Sequence, residues 1–463
     1  MDRLITPIAF AAVVATVFAT LVHPALGILV VAAALLPLYA GPAFRILCDP
    51  IAAFGLLFPL LYLANMTIGL SFVRYAQLLV FGLVVWQIVR LFLDDWTLKR
   101  LPLRYATWVV LFVAWVFFAA AMSQNAERSF AAAGSYLFVL VGFVVLNHWL
   151  DSEAKLLRFF DALILGTFFY AFAVTGLMLN EMGGGLSTMM LVKGEILGVN
   201  TNGIPIPVMF CLPIVATRLV ADSHHRSRYV LILIVFLLVV YLSMSRSAWL
   251  GTAAGGSACL LVHEISAGRV RRLLRIGVAF GGVALVLVAW KWQELSLLAG
   301  LDRGTTGRIY LWNAALQMIS DHPITGIGPG MWPVMDAVYA VFDGPIDLTH
   351  YANHAHNTFL THAAEMGIPA GFGALAFVGL LFRDSLRGAF DRRMPLSDPM
   401  RIHLIGCVGV VILITVRGFF ESTLVLWPGI PSSSAWLIFI AVSMCRLSDR
   451  GANPITVPES GAV

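Results

Sequence analysis

Long apolar runs separated by short polar breaks dominate the chain, and their length decides its class. Runs of roughly 15 to 22 residues, enough helix to cross a bilayer, number about fourteen. They fall near residues 5–22, 25–41, 50–66, 72–93, 104–122, 132–150, 157–179, 203–221, 229–243, 248–263, 276–292, 367–382, 402–420 and 429–445. Two of the breaks are weak, His23-Pro24 and Ser243 to Ser247, so about twelve spans is the alternative. The pattern predicts an all-α polytopic membrane protein of about 12–14 helices with one large outer loop containing amphipathic helices. It divides the chain into a transmembrane bundle over 1–292, a large loop over 293–366, and C-terminal transmembrane helices with a short tail over 367–463.

Composition agrees with the pattern. Of 463 residues 60% are hydrophobic and only 12% charged, with mean hydropathy +0.88, which excludes an ordinary soluble globular chain. Met1-Asp2-Arg3 leads straight into an apolar run with no small-residue cleavage site, so the first helix is expected to stay in the mature protein. Most of the basic residues, including Lys99-Arg100, Arg269 to Arg272 and Arg392-Arg393, fall on one side of the predicted topology. That side is the cytoplasm by the positive-inside bias, both termini lie there, and the net charge of +5 reflects topology rather than a nucleic-acid partner. The five cysteines lie in or beside predicted spans without a C-x-x-C, so neither a disulfide framework nor a zinc site is indicated.

Two outer loops are long, at about 180–202 and about 293–366, and a loop of the second size is expected to carry structure and function of its own. Within it, Thr305-Thr306 starts a helix whose apolar positions Ile309, Trp312, Leu316 and Ile319 form one face. The helix is expected to stop at His322-Pro323, because proline cannot continue the ladder and restricts the residue before it. The Gly326-Ile-Gly328-Pro-Gly330 that follows reads as a tight turn; a phosphate loop would need a strand before it and a helix after it.

Polar groups near the outer face are few enough to weigh singly. Arg246, within Leu242-Ser-Met-Ser-Arg-Ser-Ala-Trp249, has apolar sequence on both sides and needs a partner or a polar cavity, or else snorkels to the headgroups. Arg303 and Arg308 either grip an anion bidentately or are ordinary exposed loop arginines, and spacing alone does not choose between these. Lys193 and Asn202 close the other long loop. The stretch Tyr351-Ala-Asn-His-Ala-His-Asn-Thr-Phe-Leu-Thr-His362 holds three histidines, of which His354 and His356 suit a general base better than a metal ligand; a merely hydrogen-bonded loop histidine stays open. No D-x-D occurs and the first outer loop has no acidic residue, so no cofactor is expected and a metal-free mechanism fits better.

Taken in order, these pieces resemble the O-antigen ligase and Wzy-type polymerase family of bacterial envelope glycosyltransferases. The matching motifs are Ser245-Arg246, Gly307-Arg308-Ile-Tyr-Leu-Trp312, Asp321-His-Pro-Ile-Thr-Gly-Ile-Gly-Pro-Gly330, His354-Ala-His356-Asn357 and Glu365-Met-Gly-Ile-Pro369. The resemblance implies an inner-membrane enzyme acting at the periplasmic face. It implies a glycan donor on undecaprenyl diphosphate and, as acceptor hydroxyl, a glycan, lipid A-core or another molecule. It maps His356 to acceptor activation and Arg246 and Arg308 to the diphosphate. Lys193 stands where an arginine is usual, and Thr201 where a proline is usual before Asn202. Beside it, His354, Asn357 and Glu365 read as orienting residues, and Arg417 with Glu421 as supporting partners or a structural ion pair. Ligase, polymerase and protein O-glycosyltransferase differ only in acceptor. A transporter would instead place its polar groups near mid-membrane on broken helices.

Overall fold

The computed structural model describes residues 49–59, 62, 103–181, 195–196, 199–200, 202–269, 271, 306–339, 354–421 and 433–452. The spans expected at 5–22, 25–41, 72–93 and 276–292 lie outside these residues, as do the site candidates Lys193 and Arg303. Among the described residues five helices are long and apolar enough to cross a membrane: Arg104–Ala121, Ala126–Trp149, Glu153–Leu179, Thr358–Ala389 and Pro399–Gly418. Shorter apolar helices cover Ile206–Ala221 and Trp436–Ser448. The described strand pairing is a two-rung antiparallel ladder, Glu195 opposite Asn200 and Ile196 opposite Val199. The chain is an all-α polytopic membrane protein.

The chain forms two compact units, Met1–Thr97 with Ala154–Thr252, and Leu98–Glu153 with Ala253–Val463. In the first, helix α1 (Pro50–Leu57) starts at Asp49, whose carboxylate accepts the Ile51 N–H, with Pro50 in the first turn where no donor is needed. It packs on α4 (Glu153–Glu181), where Gly166 admits the Leu56 carbonyl to a distance that a Cβ would forbid. Helices α5 (Ile206–Ala221) and α6 (Arg226–Leu242) follow, and the Tyr170 hydroxyl on α4 donates to the Ile204 carbonyl at 2.7 Å.

The second unit contains α2 (Leu103–Ala121), α3 (Ala126–Trp149), α8 (Thr306–Asp321), α9 (Trp332–Tyr339), α10 (Thr358–Ala389), α11 (Pro399–Gly418) and α12 (Ser433–Ala452). The division between units falls within α7 (Arg246–Ser266). Three contacts join α2 to an antiparallel α10, and the two tryptophan contacts, seven residues apart on both helices, share one register. Tyr105 donates to Asp384 at 2.6 Å, Trp108 Nε1 to the Gly373 carbonyl at 3.0 Å, and Trp115 Nε1 to the Met366 carbonyl at 2.9 Å.

Helix α10 breaks at Gly367, whose φ of 82° suits a residue without a Cβ. Pro369, two residues on, has no N–H, so the carbonyl of Glu365 loses its helical partner. In a membrane protein such freed groups must be satisfied inside the chain. The segment after α8 supplies the partners: Ile327 N–H donates to Ala364 (3.0 Å), Gly328 N–H to Glu365 (2.8 Å), and Pro323 accepts from Ile368 (2.9 Å). Gly326 and Gly367 let the two backbones meet, since a Cβ on Gly326 would press the Glu365 carbonyl and one on Gly367 would overlap the Ile324 carbonyl. The motifs Asp321–Gly330 and Glu365–Pro369 are therefore two halves of one joint.

Above the joint, α8 begins and ends as its sequence predicts, stopping before His322-Pro323. Its buried face differs from the expected stripe. Leu311, Ala315 and Met318 enter a small core with Ile327, Met331, Trp332, Ala355 and Ala364, and Trp312 and Ile319 flank it. Ile309 and Leu316 are exposed instead. The rest of that core comes from the joint and from Ala355, so the Leu311 side of the helix is the one it covers.

Candidate active site

The stretch around His356 is held at Ala355 and His356 by backbone bonds and by the cap that follows. Asn357 caps α10, its Oδ1 accepting the N–H groups of Phe359 (3.0 Å) and Leu360 (3.1 Å). The Ala355 N–H donates to Thr361 Oγ1 (3.2 Å), and the Ala355 carbonyl accepts from Trp312 Nε1 on α8 (3.0 Å). The His356 N–H donates to His354 Nδ1 at 3.3 Å. These bonds hold His356 at φ 48°, in the left-handed region that non-glycine residues avoid. Met244, two residues before Arg246, is the other non-glycine residue at positive φ among the described residues.

So placed, His356 brings Nδ1 to 2.7 Å from Glu421 Oε1. Glu421 follows α11 and is anchored where its carbonyl accepts from Thr358 Oγ1 at 2.8 Å. An ionised carboxylate only accepts, so Nδ1 carries a proton, and in the neutral imidazole Nε2 is the nitrogen with the lone pair. The Glu421 side chain is 3% exposed and that of His356 21%, so the carboxylate is enclosed while the imidazole keeps an open edge. Burial alone would raise the Glu421 carboxyl; the hydrogen bond from His356 and the charges of His356 and Arg417 outweigh it and hold it down at about 2. Burial, with His356 alongside, lowers the His354 imidazole to about 4, so it stays neutral. The two imidazoles stack edge to face, with centroids 4.5 Å apart.

His354, His356 and Glu421 place three donor atoms within 4.8 Å of one another, a group that could hold a metal ion. His354 Nδ1 already accepts a backbone N–H, whereas His356, with Nδ1 bonded to the Glu421 carboxylate, has the arrangement that a metal-ligating histidine and a general base share.

The other candidates divide between the units. In the second, Arg308 lies one turn before Trp312 on α8, on the side of the helix that bonds Ala355. Arg417 is fully buried at the end of α11, and its charge acts on Glu421. His362 is buried with its ring 6.4 Å from that of Phe112. Glu365 is buried away from the histidine pair; its Oε1 accepts the Trp332 N–H at 3.2 Å and so fixes the start of α9 on the joint. In the first unit, the Ser245 hydroxyl donates to Asn202 Oδ1 at 2.7 Å and lies 3.2 Å from the Ser247 hydroxyl. Arg246 opens α7 between these two buried serines and is itself exposed. Asn202 and Arg246, 44 positions apart, are thus brought to one place by Ser245.

Glu421 is the residue that the sequence read least sharply: it is 65 positions from His356, and only its nearness to Arg417 hinted at a role. A second addition is Arg128, exposed at the start of α3, whose Nε donates to the Gly330 carbonyl at 2.9 Å and buttresses the joint.

Residues 231–378 match the family model described as O-Antigen ligase, Wzy_C. A curated relative, the exopolysaccharide production protein ExoQ of Rhizobium meliloti (strain 1021), is 30% identical over 187 residues, 39% of this chain and 41% of the relative. The chain therefore spans about two fifths of the length of the curated relative it matches. The family match covers Arg246, Arg308, His354, His356, Asn357 and Glu365 and ends before Arg417 and Glu421. Through residues 231–378, with their arginines, histidine pair and glycine joint, this chain is similar to the O-antigen ligase family.

Proposed function

We propose that this protein is a glycosyltransferase of the bacterial inner membrane. It moves a glycan from undecaprenyl diphosphate to an acceptor hydroxyl at the periplasmic face, with inversion and without a metal. The observation that carries this reading is the His356–Glu421 hydrogen bond of 2.7 Å, which leaves Nε2 of a rigidly held imidazole as the available base.

The chemistry asks little else of the protein. Diphosphate is already a good leaving group, so positioning, charge stabilisation and removal of one proton suffice. His356 Nε2 takes the acceptor hydroxyl proton as that oxygen attacks the anomeric carbon from the face opposite the diphosphate. The bond from that carbon to the diphosphate oxygen breaks, and undecaprenyl diphosphate leaves. Glu421 holds the tautomer and stabilises the imidazolium formed. Arg246 and Arg308 bind the diphosphate, with Arg303, Lys193 and Asn202 lining the donor site. His354 and Asn357 orient the base, Glu365 supports the fold around it, and Arg417 keeps Glu421 ionised.

Two acceptors are favoured by different observations. The family match favours transfer of a finished glycan to a lipid A-core or other hydroxyl acceptor, a ligase. The likeness to a protein named for exopolysaccharide production favours a polymerase that joins lipid-linked repeat units. Purified protein supplied with undecaprenyl-diphosphate glycan separates the two by product. A ladder of lengthening lipid-linked chains identifies the polymerase, one transfer to added lipid A-core identifies the ligase, and no transfer with either acceptor overturns the proposal.

A further inference from the structure

The end of the second unit opposite His356 carries a cluster for which glycosyl transfer has no use. The α2–α10 pairing places Tyr105 against Asp384 towards one end and Trp115 against Met366 towards the other. Asp384 lies seventeen residues beyond the Gly367 break of α10, about 26 Å at 1.5 Å per residue and close to the hydrocarbon thickness of a bilayer, and Arg104 opens the α2 span. Asp384 thus lies at the other membrane interface, which the positive-inside bias assigns to the cytoplasm.

Asp384 is 2% exposed, and three guanidinium groups converge on it. Arg104 Nη2 lies 3.2 Å from Oδ2, Arg383 Nε 3.4 Å from Oδ1 and Arg387 Nη1 3.9 Å from Oδ1. The Tyr105 hydroxyl donates to Oδ2, and the Arg104 guanidinium sits 5.0 Å from the Tyr105 ring centroid. One carboxylate cancels one of three positive charges, so the cluster keeps a surplus of two. The arginine side chains are 37%, 52% and 65% exposed, so the surplus faces outward.

What lies beside the arginines is apolar. On α2 the exposed row Arg104, Leu111, Phe118 runs along one face, and on α10 the exposed Phe372 and Leu375 precede Arg383 and Arg387 on theirs. Each row is a lipid-facing stripe that ends in a guanidinium at headgroup depth. A charge-surplus cradle at the end of two apolar stripes fits an amphiphile with an anionic head, its phosphate between arginines that bind phosphate bidentately and its chains along the helices.

We propose that Arg104, Arg383 and Arg387, gathered by Asp384, form a binding site for the phosphate of an anionic glycerophospholipid of the cytoplasmic leaflet. Asp384 and Tyr105 hold the arginines in place; the lipid supplies the missing negative charge. The site is independent of the glycosyl-transfer reading, because nothing in it touches His356 or its partners.

Native mass spectrometry of the full-length protein released from nanodiscs of equal phosphatidylglycerol and phosphatidylcholine tests the site. The wild type is expected to retain phosphatidylglycerol preferentially, and Arg383→Gln/Arg387→Gln to lower that preference roughly tenfold, since each basic side chain near an anionic surface is worth several-fold. Arg392→Gln/Arg393→Gln, an equal charge change on the same side of the membrane, is expected to leave it unchanged. Asp384→Asn is expected to weaken retention although it makes the protein more positive, because it removes the group that gathers the arginines. Equal loss in both double variants, stronger retention in Asp384→Asn, no preference in the wild type, or displacement of the lipid by millimolar inorganic phosphate alone would each overturn the proposal.

Discussion

His356 donates its Nδ1 proton to Glu421 Oε1 across 2.7 Å, although the two residues are 65 positions apart and only one of them falls within the family match. The pair sets the tautomer of the neutral imidazole and places a buried carboxylate behind the ring that the proposed transfer makes cationic. Glu421→Gln keeps an acceptor for Nδ1 but removes the charge. Its kcat is expected to fall on the order of 10²-fold or more with little change in donor KM, and Glu421→Asp to recover part of the loss. Steady-state kinetics on the purified variants make the comparison; a KM defect with unchanged kcat would assign Glu421 to donor binding instead.

Acid sensitivity follows from His354. Its folded-state pKa of about 4 lies below the ordinary 6.5, so between these values the unfolded chain binds more protons and stability rises with pH. The loss therefore appears as pH falls from about 6.5 toward 4, and at pH 5 it amounts to about 2 kcal/mol. Thermal unfolding in detergent at pH 7 and pH 5 is expected to show a larger drop for the wild type than for His354→Asn. Equal drops would mean that His354 is not the group responsible.

The glycine joint has a sharper signature. Gly367→Ala puts a Cβ onto the Ile324 carbonyl and forces an alanine to φ 82°, so the protein is expected to lose its folded yield. Gly379→Ala, on the same helix with nothing within 4 Å of the added carbon, is expected to be neutral or to stabilise by up to about 1 kcal/mol. Detergent size-exclusion profiles of the two variants distinguish these outcomes.

Trp312 connects α8 to the stretch that carries His356 through the Ala355 carbonyl. Trp312→Phe keeps most of the packing and removes the N–H, at a cost of about 1 kcal/mol. Because Ala355 precedes His356, kcat is expected to fall several-fold while the melting temperature changes by only a few degrees. Unchanged kcat would show that His356 is positioned without this bond.

These relationships differ in how far the sequence exposes them. Membrane class and the end of α8 are legible because run length and His322-Pro323 act locally. The side of α8 that faces inward is not, since Leu311, Ala315 and Met318 compete with Ile309 and Leu316 for one small core, and only the joint below decides between them. Asn357 reads as an orienting residue by its place beside His356; its side chain caps α10, a role that an asparagine directly before Thr-Phe-Leu also signals. Glu365 reads as part of the site because it shares a motif with the joint, yet its carboxylate serves the Trp332 N–H. Glu421 is hidden because a hydrogen bond made across the fold leaves no spacing in the chain.

The most direct measurement is glycan transfer from undecaprenyl diphosphate to an acceptor by the purified wild type and His356→Ala, each with EDTA present. The account predicts transfer by the wild type that EDTA leaves intact, and a loss on the order of 10²-fold or more in His356→Ala with donor binding retained. Full activity in His356→Ala, or abolition of wild-type transfer by EDTA, would contradict it.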